Sequence, residues 1–343
     1  MNKKFITSIS KFFVFGVLLV LINCTNNAKK TNEKETKKTA YASDLIPFFN
    51  HWNLILGDGS NVGKANNFEH KDFFYTTNDG KTDWVVFKAP NAGGTHGTSK
   101  NTRTELAQLK KWSPLTDAKL TATLKVMNVS ASGDESKSSA HAVVVGQIHS
   151  ADGHENEPLK IFYKKFPSHN KGSVYWNYEI NTAGDDNSGR WDYSTGVWGD
   201  VSAVRPEDYT FPEEPEDGIV LGEEFSYEIE VKDGIMSLKF TSEGHETKTF
   251  TKNLIVSEYT TTDDIPIGRV GVERETAYAD EGCFFKLGSY NQSNGVSTGS
   301  QTYGGDIQKQ YKTGNYAEVW FKTASIFVSD AAISNQKYFT KND

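Results

Sequence analysis

Cysteine is nearly absent: Cys24 and Cys283 are the only two in 343 residues. One pair gives no disulfide framework, so stability must come from the core. Cys283 has no histidine near it in sequence and no nucleophile signature around it, so it reads as a small buried hydrophobe. A basic excess is missing too. The formal net charge is −7; the first 23 residues carry +3 and residues 25–43 another +3, which leaves −13 on 44–343. An acidic domain argues against nucleic acid as a partner, although a cleft lined by cations can still hold a polyanion. The one apolar run of note, Phe12–Ile22, has eleven residues, far short of the ~20 that span a bilayer. After residue 44 there is no long helical period, no internal repeat and no linker-like stretch, so 44–343 is expected to be one domain.

The N-terminus is of a different kind. Lys3, Lys4 and Lys11 precede the apolar run with no acid among them, the pattern of a secretory signal over residues 1–23. The run closes Leu21-Ile22-Asn23-Cys24, and a cysteine directly behind it resembles a bacterial lipoprotein box. That resemblance implies cleavage before Cys24, a lipid on it, and an exported protein anchored to the outer membrane. Residues 24–43 are polar and lysine-rich and cannot bury enough surface to fold, so they are expected to form a tether.

The domain itself reads as all-β. Leu120, Ala122, Leu124 and Val126 alternate with Lys119, Thr121, Thr123 and Lys125, a strand with one buried face. Phe225, Tyr227, Ile229 and Val231 repeat the pattern, Asp233-Gly234 turns the chain, and Met236, Leu238 and Phe240 alternate on the way back, as a hairpin requires. Helix is expected only as short turns near Asp44 and Phe48–Leu54. Many strands in one domain predict a two-sheet sandwich or jelly roll. Three stretches rich in Gly, Pro, Asp and Asn, at 151–158, 181–193 and 205–222, are expected to be loops. The acids of the second match no calcium-loop spacing and read as a solvated turn. The third is long enough to wall off one end of a groove.

Three strands carry side chains that a plain sandwich would not need. In Asn101–Leu109 (NTRTELAQL), Arg103, Glu105 and Ala107 share one face. Val143–His149 (VVVGQIH) ends with Gln147 and His149 on one face and Ile148 on the other. In Phe284–Gln292 (FFKLGSYNQ), Lys286, Gly288, Tyr290 and Gln292 share a face opposite Phe285 and Leu287. Each is weak alone, and Arg103 with Glu105 also fits a surface ion pair. Together they place an arginine, a glutamine, a histidine, a lysine and a tyrosine on three strands.

RTEL at 103–106, QIH at 147–149 and FFKLGSYNQ at 284–292 resemble, in order and spacing, the three motifs of polysaccharide lyase family 7, the alginate lyases. Ala107 and Gln108 replace the arginine and glutamate that usually continue the first motif; Phe284 and Leu287 depart from the third. The resemblance implies a β-jelly roll with a concave groove and a reaction on alginate, a 4-linked uronate polymer, by β-elimination. It implies Arg103, Gln147, His149 and Tyr290 as catalytic residues and Glu105, Lys286, Asn291 and Gln292 as substrate-binding ones. Arg103, Gln147 and His149 would bind the uronate carboxylate and stabilise the enolate-like charge. Tyr290 would protonate the leaving oxygen, with His149 or Tyr290 itself as base. Isoleucine at 148 is associated with guluronate-containing substrate in the family. No cofactor or metal is implied, and a monomer is expected. A non-catalytic glycan-binding lipoprotein would not need both His149 and Tyr290. A β-sandwich glycoside hydrolase would need paired carboxylates on one strand, and Glu228-Ile229-Glu230 lacks the remainder of that motif.

Overall fold

Almost all regular structure is antiparallel strand in two layers. The computed structural model describes residues 40–329, apart from 48, 96–98, 134–138, 151–156, 183–185, 201–212, 256–277, 280 and 294–305; of 180–192 only strand backbone is described. The expected signal, Cys24 and most of the tether lie outside the described residues. One sheet runs β10 (Asp186–Trp198), β9 (Lys171–Thr182), β8 (Leu159–Lys164), β7 (Ala142–Ser150), β15 (Cys283–Asn291), β5 (Arg103–Gln108), β1 (Trp52–Ile55), β2 (Asn61–Gly63), with β11 (Ile219–Val220) beside β9. The other runs β14 (Lys248–Asn253), β13 (Ile235–Ser242), β12 (Glu224–Lys232), β6 (Ala118–Asn128), β16 (Tyr316–Val328), β4 (Asp83–Pro90), β3 (Phe74–Asn78). Spatial neighbours are often distant in sequence, as in the crossed winding of a jelly roll.

The alternating stretches do what their pattern requires. In β6 and β12 the apolar set points inward, with Leu120, Leu124, Ile229 and Val231 fully buried. Asp233 and Gly234 take φ of 51° and 79°, the left-handed pair that a tight two-residue hairpin needs. One core cluster draws Leu124, Phe240 and Phe321 from one sheet and Leu106, Ile148 and Phe285 from the other. Cys283 is buried within it.

Two expectations change. The stretch 181–193, expected to be a loop, is largely strand: Trp191, Asp192 and Tyr193 of β10 pair with Ile180, Glu179 and Tyr178 of β9. β10 lies at the sheet's edge, where polar composition is tolerated. The side chains of 180–192, on which a calcium site would rest, are outside the described residues, as is 205–212 of the third loop. Ala42 is fully buried in α1 (Ala42–Leu45), so residues just ahead of Asp44 also pack into the core. A second helix, α2 (Ile307–Lys312), was not expected. Asp306 caps it by accepting from the Lys309 N–H at 3.0 Å.

Candidate active site

The motif side chains converge on the outer face of the first sheet, across its adjacent strands β7, β15 and β5. A bulge decides which face they take. Strict alternation would put Val145 and Gln147 together, yet Val145 belongs to the core cluster. The pairing of β7 shifts between Val144 and Gly146 against β8, and that of β15 shifts between Leu287 and Tyr290 against β7. The extra residue turns Gln147 and His149 outward while Ile148 returns to the core. Gly146 suits this turn, because a Cβ there would lie 2.6 Å from the Tyr227 hydroxyl. Gly288, at φ +147°, serves β15 in the same way; a Cβ would meet the Thr104 carbonyl at 2.5 Å.

Glu105 is the hub. Its Oε2 lies 3.3 Å from Arg103 Nη1 and 3.5 Å from Lys286 Nζ, and its Oε1 accepts from Gln147 Nε2. With 2% of its surface exposed, Glu105 does not face substrate as expected; its carboxylate holds the cations and the amide in place. The surface ion-pair reading of Arg103 and Glu105 falls with it. Ala107 sits opposite Lys286 in register, so Arg103 and Lys286 are the cations on this strand pair. Arg103 also donates from Nη2 to Ser99 Oγ at 2.8 Å, and its guanidinium carbon is 3.8 Å from the Tyr290 ring centroid. Arg103 Nε and Gln147 Oε1 are buried without a partner among the described residues. Such atoms are costly to leave unpaired, which marks a place for a polar ligand.

His149 stacks on Phe284, with ring centroids 5.0 Å apart. Its Nδ1 contacts the Ser150 carbonyl, which only accepts, so Nδ1 carries the hydrogen and Nε2 the lone pair. Nε2 lies 3.6 Å from Glu157 Oε1. Burial pushes the imidazole below its usual pKa, and Lys286 adds to that; Glu157, the Ser150 carbonyl and Glu105 oppose the shift without reversing it. Burial likewise lowers Lys286, with Glu105 opposing and Arg103 adding. Burial would raise the Glu157 carboxyl, but Lys160, Glu179, His149 and Lys286 hold it well below the carboxylate range. A neutral imidazole beside an anion is suited to taking a proton.

Two expected site residues stand apart. Asn291 is buried on the core side, donating to the Ala89 carbonyl at 3.2 Å and Asn91 Oδ1 at 2.8 Å while accepting from Ser293 N–H at 2.9 Å. It pins the end of β15 and has no amide atom left for a sugar. Gln292 lies past the strand end, accepting from Asn101 Nδ2 at 3.3 Å. Sequence reasoning missed Ser99 and Glu157, which sit beside loops and carry no motif signal. Among the described residues no cluster of His, Cys, Asp and Glu is arranged to hold a metal.

Comparison with known proteins decides the family. A family profile described as alginate lyase matches residues 44–328. The chain belongs to the alginate lyase family. The crystal structure of an exolytic family PL7 alginate lyase from Zobellia galactanivorans is 58% identical in sequence, covers 85% of this chain and 99% of that one, and superposes with a TM-score of 0.78. An alginate lyase of Klebsiella pneumoniae is 29% identical over 282 residues, 71% of this chain and 81% of its own. The crystal structure of a Klebsiella pneumoniae alginate lyase aligns at 21% identity over 85% of this chain and 99% of that one, with a TM-score of 0.60. That likeness speaks for the shared jelly-roll sandwich. The alginate lyase fold expected from the motifs is thus the fold observed.

Proposed function

We propose that this alginate lyase cleaves its polymer by metal-independent β-elimination and works from chain ends. The convergence of Arg103, Gln147, His149 and Tyr290 on one sheet face carries the chemistry. The C5 proton of a uronate is weakly acidic while its carboxylate is charged. Arg103, and the Gln147 N–H that Glu105 does not take, offset that charge and the enolate-like charge that follows. His149 Nε2 removes the C5 proton, and the resulting imidazolium is stabilised by Glu157. Tyr290 gives its phenolic proton to O4 as the C4–O4 bond breaks, leaving an unsaturated uronate. On guluronate the proton and the leaving group lie on opposite faces, which suits two separate residues. That division of labour and the isoleucine at 148 support a preference for guluronate-containing substrate. The likeness to an exolytic relative supports action at chain ends.

We infer further that the protein is exported, lipid-anchored through Cys24 to the outer membrane, and monomeric; Lys3, Lys4, Lys11 and the run Phe12–Ile22 ahead of Cys24 support the anchor. Labelled fatty acid should enter the wild-type chain and be lost in Cys24→Ala. The test of function is incubation of the purified protein, with chelator present, with polyguluronate and polymannuronate separately. Ultraviolet absorbance should rise on both, faster on polyguluronate, with the smallest products present from the first minutes and viscosity falling slowly. A trace that is flat with chelator and restored by added metal would overturn the metal-independent reading. An early viscosity collapse would overturn end-wise action.

A further inference from the structure

Ser99 lies between the two groups on which this mechanism most depends, and its hydrogen-bonding capacity is fully assigned. Its Oγ accepts from Arg103 Nη2 at 2.8 Å and from the Asn101 N–H at 3.2 Å. A hydroxyl has two acceptor lone pairs and one hydrogen, so both lone pairs are taken. Two more oxygens lie within reach, the Asn101 carbonyl at 3.2 Å and Tyr290 Oη at 3.2 Å. They share the single Ser99 hydrogen. What Ser99 retains toward Tyr290 is its hydrogen, and donation to the phenolic oxygen leaves the phenolic proton to another acceptor.

We propose that Ser99 is a positioning residue for Tyr290, holding the phenolic oxygen while leaving its proton to the leaving group. This rests on the reading of Tyr290 as the acid. When that proton passes to O4 and the C4–O4 bond breaks, the phenolate becomes a far better acceptor than a carbonyl. The Ser99 hydrogen then turns from the Asn101 carbonyl to Tyr290 without being transferred. Arg103, donating to the same hydroxyl, polarises it and strengthens that donation. Arg103 of β5 meets the ring face, with Glu105 behind it, and Lys286 lies on the same strand as Tyr290. Its ring packs against a cluster that holds Val144 of β7, Phe162 of β8 and Tyr175 of β9.

The experiment is the measurement of kcat and KM on polyguluronate for the wild type, Ser99→Ala, Ser99→Thr and Tyr290→Phe, with thermal melting to confirm folding. Ser99→Ala should lower kcat by about tenfold to a hundredfold and leave KM within about twofold. Ser99→Thr, which keeps the hydroxyl, should restore kcat. An inactive Tyr290→Phe beside a Ser99→Ala with unchanged kcat would overturn the proposal. So would a loss that threonine does not repair, or one carried by KM, since that is a structural effect. Near-normal turnover by Tyr290→Phe would instead remove the acid role of Tyr290, a result that stands apart from either.

Discussion

The Arg103 guanidinium lies against the face of Tyr290, its central carbon 3.8 Å from the ring centroid. The same group reaches Glu105 and Ser99, so its plane is fixed on three sides. A lysine keeps the charge but cannot fork to two oxygens while stacking on a ring. Arg103→Ala should lower kcat/KM by about 100-fold or more, with kcat and KM both affected. Arg103→Lys should recover only a small part. Steady-state kinetics on polyguluronate decides it: full rescue by lysine would mean that charge alone matters.

Tyr290→Phe keeps the ring that Arg103 covers and removes only the oxygen. Turnover should fall by about a thousandfold, while retention on immobilised alginate stays close to wild type. Weakened retention would give the phenol a role in ground-state binding.

Glu105→Gln preserves shape and can still accept from Gln147, but it leaves Arg103 and Lys286 buried without their anion. Removing one partner of a buried ion pair costs about 3 kcal/mol or more. In a domain of this size that lowers Tm by several degrees, roughly 6–12 °C, and calorimetry reads it directly. An unchanged Tm would mean that water, not Glu105, balances the two cations.

With His149 as the proposed base, the acid side of the pH dependence follows from its surroundings. Its pKa is lowered in the fold by burial and then by Lys286, so the unfolded chain binds more protons just below the ordinary histidine value of about 6.5. Its contribution to stability is therefore intact above about pH 6.5 and declines as pH falls below that value. The acid limb of kcat/KM should likewise lie below about 6.5. Glu157→Gln removes a charge that favours the imidazolium, so it should move that limb to still lower pH. A limb that moves upward would place the base elsewhere.

Much of this was legible in the residues. Alternation in 103–108 and 284–292 gave the correct faces for Arg103, Glu105, Lys286 and Tyr290, because burial on one side of a strand enforces a period of two. It did not reveal the change of face within β7, where Gly146 was the only hint of a bulge. Nor did it show that Glu105 turns from the substrate toward the cations, which depends on strands 40 or more residues away in the chain, such as that of Gln147. Asn291 was misread because it adjoins Tyr290 in the motif, although adjacent strand residues point to opposite faces. The stretch 181–193 was misread because edge strands accept turn-like composition. Ser99 and Glu157 were invisible, since a lone polar residue beside a loop has no period to betray it.

The site is assembled from β5, β7 and β15, strands that meet only when the sheet is complete. Arg103 and Tyr290 come from opposite ends of the domain's sequence and touch through a single register. No single hairpin contains both residues. Turnover therefore doubles as an assay of native topology, because it needs the register that brings β5 beside β15.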